Sequence, residues 1–241
     1  MGPLLFPKRE VLIAGISVIA KSMPMLLRGV LINIELLFAL LILGLFVGTT
    51  VALLQVYGGR FFGTLASGYA WVFRSIPAIV LLFLFYFGPS EFGVDIPPFF
   101  AASLALGLRS SAYQSQIFRG ALQAIPHGQM MAARSMGMSR IRAIFLIIIP
   151  QALRISIAGW SNEFSSVVKD TTLAYVVGLN EVLRRVRIIT DRHYDLAMLA
   201  YLTVALIFLV LTYTGNWGLG RLEKRLRIPG LQMMRGGTRE V

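Results

Sequence analysis

Cysteine is absent from the 241 residues, which excludes a disulfide framework and a thiolate site. Acid is scarce: 11 Asp and Glu stand against 23 Lys and Arg, for a formal net charge of +12. Histidine is scarcer, with His127 and His193 isolated from one another in sequence, and each reads as a loop or interface residue rather than a metal ligand. No G-x-x-x-x-G-K-[ST] phosphate loop occurs, so the chain is not expected to bind ATP by that route. Neither H-E-x-x-H nor G-x-S-x-G occurs. The chain therefore carries no visible catalytic set, and neither a metal nor a cofactor of its own is expected.

Apolar residues are abundant instead. They make up 56% of the chain, and the mean hydropathy is +0.73. A soluble domain of this length needs no such apolar surface, so the chain reads as an integral, all-α, multi-pass membrane protein. The basic residues sit at the ends of apolar runs rather than in one patch. They suit anionic lipid headgroups or acidic partner surfaces, not nucleic acid.

Taken in order, residues 1–29 mix charge with apolar residues. Lys8 and Arg9 precede an apolar run too short to span and without a small-x-small cleavage site, so the segment reads as an interfacial helix. A first spanning helix is expected over 30–56, with Asn33 and Glu35 near its start and Gly44 and Gly48 in G-x-x-x-G spacing. That spacing permits close helix contact and is read as packing within the bundle. A second helix over 64–87 contains Arg74 and Pro77. Pro77 removes a backbone hydrogen bond and should kink or break it, and Arg74 must face protein, water or a headgroup.

A third helix over 98–124 carries Arg109, Ser110, Ser111, Tyr113, Gln114, Ser115, Gln116 and Arg119, too polar to face lipid all round. Two readings of this stripe stand open: it lines a path, or it hydrogen-bonds between helices. A fourth helix over 141–168 holds Asn162 and Glu163, and Lys169 and Asp170 follow it. The two pairs stand seven residues apart, on roughly one helical face. They could engage the carboxylate and ammonium of an amino acid, or pair with other protein groups to hold a gate. The segment 182–192 is basic and amphipathic and should lie along an interface. The last helix, 196–220, ends in the basic run RLEKRLR, which suits an anionic cytoplasmic leaflet. About five spans result, and counting basic loop residues gives only a weak orientation.

The stretch 127–150, HGQMMAARSMGMSRIRAIFLIIIP, departs from this pattern. Pro126 ends the preceding helix, a short helix fits over 129–136, and Gly137 supplies the left-handed residue that stops it. Ser139 can cap the next helix. Ala132 and Ala133 would give a small-residue face that another protein can approach closely, or the helix packs only on its own bundle.

The spacing resembles the loop motif of ABC-importer permeases: E-A-A, three residues, G, nine residues, I-x-L-P. Here Ala132, Ala133, Gly137 and Ile147-Ile148-Ile149-Pro150 match it, preceded by Gly128-Gln129. Met131 stands in place of the acid, and Ile149 in place of Leu. Other blocks are similar to permeases for polar amino acids of the histidine, glutamine, glutamate and arginine type. These are Phe73-Arg74-Ser75-Ile76-Pro77, the Ala112–Gly120 block with Gln116 where many members have an acid, and Lys169-Asp170-Thr171-Thr172-Leu173.

The resemblance implies a type I ABC importer permease fold over residues 30–227, with a C-terminal tail at 228–241. It implies a cytoplasmic coupling helix carrying Gly128, Gln129, Ala132, Ala133 and Gly137. Arg74, Pro77, Arg109 and Gln116 are expected along the gate or pathway, and Asn162, Glu163, Lys169 and Asp170 at the substrate. The implied function is translocation of polar L-amino acids across the cytoplasmic (inner) membrane. The implied partners are a second permease subunit, an extracytoplasmic solute-binding protein and a cytoplasmic ATPase dimer that binds ATP and Mg. Permeases for opines or other amino-acid derivatives, and an ATP-independent channel or carrier, are the alternatives.

Overall fold

The computed structural model describes residues 9–226; the expected C-terminal tail at 228–241 and Lys8 lie outside them. Helices follow in the order α1 (Arg9–Tyr57), α2 (Gly59–Ser75), α3 (Ala78–Phe87), α4 (Pro98–Gln123), α5 (His127–Ser135), α6 (Arg140–Ala143), α7 (Ile149–Asp170), α8 (Val182–Arg192) and α9 (Ala197–Leu226). A π turn, Ile144–Ile148, joins α6 to α7, and a 3-10 helix, Thr171–Val177, follows α7. Pro77 breaks the second segment into α2 and α3, as its missing N–H requires.

Among the described residues three helical stretches are long and apolar enough to cross a membrane, or four if α2 and α3 count as one broken span. The sequence suggested about five; α4 has the length, at 26 residues, but its polar stripe keeps it below the apolarity of the others. Large apolar side chains stay exposed along the apolar helices, among them Phe46 on α1, Trp71 on α2, Leu84 on α3 and Leu209 on α9, as lipid contact demands.

The chain packs as two compact units. Among the described residues, unit one comprises 9–42, 76–107 and 166–213. Its core joins Ile19, Leu26 and Val30 of α1 to Val182, Val186 and Ile189 of α8 and to Ala200 and Val204 of α9. This packing alters two expectations. The first spanning helix does not begin at Val30 but runs unbroken from Arg9, through Pro24. Lys21 and Arg28 share an exposed face while Ile19 and Leu26 turn inward, so part of the segment read as interfacial packs into the unit. The apolar face of α8 likewise meets protein, with Val182, Val186 and Ile189 buried.

Among the described residues, unit two comprises 43–75, 108–165 and 214–226. Ala52 of α1 packs with Phe118, Ala121 and Leu122 of α4 and with Ala152 of α7. Gly44 and Gly48 turn to α4: a Cβ on Gly44 would fall on the Gln114 amide, and one on Gly48 would lie 2.9 Å from the Ser111 carbonyl oxygen. The G-x-x-x-G spacing thus serves packing inside the unit. Gly48→Val is expected to cost roughly 1–3 kcal/mol through overpacking, read as a lower unfolding temperature in detergent. Gly68→Ala, where a new Cβ meets nothing, should lower it not at all.

Candidate functional site

The loop motif folds into a short helix set off at both ends by its own sequence. Pro126 occupies the N-cap of α5, and Gly137, at φ +83°, ends it. The Met138 N–H returns to the Ala133 carbonyl at 3.1 Å and the Gly137 N–H to that of Arg134 at 3.0 Å, closing the helix C-terminus. Ser139 caps α6, its hydroxyl accepting from the Arg142 N–H at 3.3 Å. Gly128, Gln129, Met131, Ala132, Ser135 and Met136 are exposed. Ala133 is not: it is 1% exposed and faces its own unit. Its burial takes Ala133 off the docking face, and of the two alanines Ala132 alone remains on it. At Met131 the face offers a side chain 65% exposed where the motif has an acid.

The polar stripe of α4 is paired within unit two. The Trp160 indole N–H donates to Gln114 Oε1 at 2.7 Å, and Gln114 Nε2 donates to Ser110 Oγ at 3.1 Å. Ser110 Oγ donates to Glu163 Oε1 at 2.8 Å. Tyr69 OH meets Ser111 Oγ at 2.6 Å, and Gln116 Nε2 donates to Gln55 Oε1 at 3.4 Å. For Ser110, Ser111 and Gln114, all buried, the interhelical reading of the stripe therefore applies. Tyr113 remains half-buried, with the guanidinium of Arg109 5.0 Å and that of Arg74 5.9 Å from its ring centroid. Of the other expected residues, Pro77 is exposed at the N-cap of α3. Asn162 and Lys169 are exposed and Asp170 is half-buried, all on α7.

Sequence reasoning missed a second polar centre, in unit one. Asn33 Nδ2 donates to Thr171 Oγ1 at 3.0 Å and to Glu181 Oε2 at 3.1 Å, and its Oδ1 accepts from the Val182 N–H at 3.0 Å. Glu181 caps α8, accepting from the N–H groups of Leu183 at 2.9 Å and Arg184 at 2.7 Å. Asn33, Thr171 and Glu181 are all buried. Gly29, one turn before Asn33, makes the approach possible, since a Cβ there would lie 2.7 Å from the Val182 Cα. An acid just ahead of an amphipathic run, Asn180-Glu181-Val182, was the available signal.

Burial pushes the Glu181 carboxyl above its ordinary range, against the opposing pull of Leu183, Arg184, Asn33 and Arg185. A carboxyl raised in the folded state stabilises most below its unfolded pKa, and that contribution is lost as pH rises through the folded value. Glu181→Gln turns one acceptor into a donor facing donors and should cost about 1–3 kcal/mol. Thermal unfolding between mildly acidic and neutral pH should show the wild type losing stability from this group as pH rises, and the variant lacking that component.

Comparison with known proteins agrees with this architecture. Residues 41–228 match the family described as the binding-protein-dependent transport system inner membrane component. The chain is 33% identical over 208 residues to the nopaline transport system permease protein of Agrobacterium fabrum, covering 82% of this chain and 86% of that one. It is 31% identical to the arginine transport system permease protein of Bacillus subtilis, covering 86% and 94%. Among solved structures, an amino acid ABC transporter crystallised with histidines superposes with a TM-score of 0.77 at 33% identity, covering 86% of this chain and 97% of that one. A methionine ABC transporter in an inward-facing conformation shares the fold, with a TM-score of 0.71 at 22% identity. With its spans, its short exposed α5 and a match over most of its length, the chain belongs to the family of inner membrane permease components of binding-protein-dependent ABC transport systems.

Proposed function

We propose that this chain is the membrane-spanning subunit of an importer for polar L-amino acids, and that it acts in the cytoplasmic (inner) membrane. The observation that carries the coupling role is α5, a short helix fixed at both ends whose Gly128, Gln129, Ala132 and Met136 face outward. In this reading a cytoplasmic ATPase dimer holds ATP and Mg and closes on binding them. The motion reaches the permease through α5, and the bundle's inward and outward openings exchange by population shift. A second permease subunit and an extracytoplasmic solute-binding protein complete the assembly. In this assignment the permease body is 30–227 together with the earlier part of α1, whose Ile19 and Leu26 pack in the core of unit one.

Relatives named for arginine, glutamine and L-cystine support an amino-acid substrate. Those named for nopaline and octopine support an amino-acid derivative as the second reading. Reconstitution with the cognate ATPase and solute-binding protein tests both: polar amino acids should stimulate ATP hydrolysis and accumulate. Stimulation by opines alone would favour the second reading, and accumulation by the permease alone would overturn the ABC assignment.

Gly137→Asp should abolish ATP-driven uptake while leaving the bundle folded. Its φ of +83° is strained for any side chain, although space for a Cβ is open. Wild-type uptake by this variant would count against α5 as the coupling element.

Arg74, Arg109 and Gln116 are assigned to the pathway, with Pro77 as the helix break beside it. Glu163, joined to Ser110, is assigned to reading the ammonium group or a basic side chain, with Asn162 beside it. Lys169 and Asp170 are assigned to the carboxylate end or to holding a gate. The anchoring of the neighbouring Thr171 to Asn33 favours the gate. Glu163→Gln is expected to reorder the amino acids that stimulate ATP hydrolysis, and Lys169→Met to weaken all of them several-fold. Unchanged ranking and half-saturation in both variants would remove these residues from recognition.

A further inference from the structure

We propose that unit two holds an anionic phospholipid beside α5, with the lipid phosphate at Arg140 and an acyl chain in an adjoining apolar groove. Two cavities carry the inference. One, of about 490 Å³, is lined in part by Tyr57, Gln123, His127 and Arg140. The other, of about 570 Å³, is lined in part by Leu45, Phe46, Leu53 and Phe145. Tyr57 belongs to both walls, so a mixed space that holds Gln123, His127 and Arg140 among apolar residues meets an apolar space at one ring. The Arg140 guanidinium lies 5.7 Å from the centroid of that ring. A guanidinium held against an aromatic ring keeps N–H donors for a phosphate, which it can bind in a bidentate manner.

Charge selects the occupant. Residues 96–162 contain six Arg and no Asp or Glu. Among the described residues of unit two the acids are Glu163 and Glu223, and no hydrogen bond joins Arg140 to either. Arg140 is exposed, and with no carboxylate bonded to it this guanidinium is open to an anionic ligand. A free anion would answer the charge and leave the groove empty of apolar contact. A zwitterionic lipid would fill the groove and meet the Arg with a phosphate already neutralised by its own ammonium. An anionic phospholipid satisfies both at once. Phe46 is 69% and Phe145 60% exposed, so the groove is open for a chain to enter, and Met130 of α5 lines the cavity that holds Arg140. The occupant would thus touch α5 directly. The inference does not depend on which solute is transported.

The test uses the full chain, purified in detergent and stripped of lipid, with circular dichroism and size exclusion confirming that each variant is folded. Short-chain phosphatidylglycerol and phosphatidylcholine are titrated and bound lipid is counted by native mass spectrometry. Phosphatidylglycerol should bind about fivefold more tightly, the factor one basic residue contributes at an anionic surface. Arg140→Gln should remove that preference without removing phosphatidylcholine binding. Phe145→Ser, on an exposed wall of the groove, should weaken both lipids alike. Equal binding of the two lipids to wild type, or a preference that survives Arg140→Gln, would overturn the proposal. So would inorganic phosphate displacing phosphatidylglycerol at equal concentration, which would mean a free-anion site. Exclusion of both lipids by a second copy of the chain would assign the groove to the permease dimer and would equally overturn it.

Discussion

A polar side chain inside an apolar helix bundle has to find its partner within the protein, because lipid offers none. This constraint accounts for most of unit two. Once α4 carries Ser110, Ser111 and Gln114 on buried faces, other helices must bring complementary groups, and α7 brings Trp160 and Glu163 while α2 brings Tyr69. Each bond contributes only about 1 kcal/mol net, but an orphaned partner would cost about 1–3 kcal/mol. The network is therefore better understood as dictating which helices touch than as a large store of stability. In unit one Asn33 has the same part, holding α1, the turn after α7 and the start of α8 through a single amide.

Backbone interruptions determine where those helices begin and end, and three prolines act in three ways. Pro77 separates two helices outright. Pro126 stands at the N-cap of α5, where its fixed φ is no hindrance and its missing N–H costs nothing. Pro150 neither breaks nor begins the helix it occupies. The turn ahead of it widens, and the Ile149 N–H donates five residues back, to Ile144. Pro126, Gly137 and Ser139 isolate α5 from the helices on either side while leaving it attached to both.

Features written in local chemistry were legible in the sequence. The break at Pro77, the cap at Ser139, the stop at Gly137 and the limits of α8 all follow from residues that act on their own neighbours. The family followed from spacing between such residues. Features that depend on tertiary partners were not legible. Lys8 and Arg9 ahead of a short apolar run suggested a surface helix because the facing α8 was invisible, and the pairing of Asn33 with Glu181 spans 148 positions. Ala133 was assigned to the docking face because two adjacent alanines look like one feature in a string, whereas a helix sends them in different directions. The cavity beside α5 involves residues from α1, α4 and α6, and no local pattern announces it.

The π turn at Ile144–Ile148 has a consequence for how related chains compare. A turn of this kind holds one residue more than the helix around it requires. A helical wheel drawn continuously from Ser139 through α7 therefore slips by about 100° at this point. It would assign Trp160 and Glu163 to the wrong neighbours. A relative with one residue fewer between its cap and its proline could present the same α7 face from an uninterrupted helix. Alignments that force equal length here would then pair residues that do not occupy equivalent places. The wide turn is a register adjuster, able to absorb a single insertion while the polar face beyond it keeps its aim.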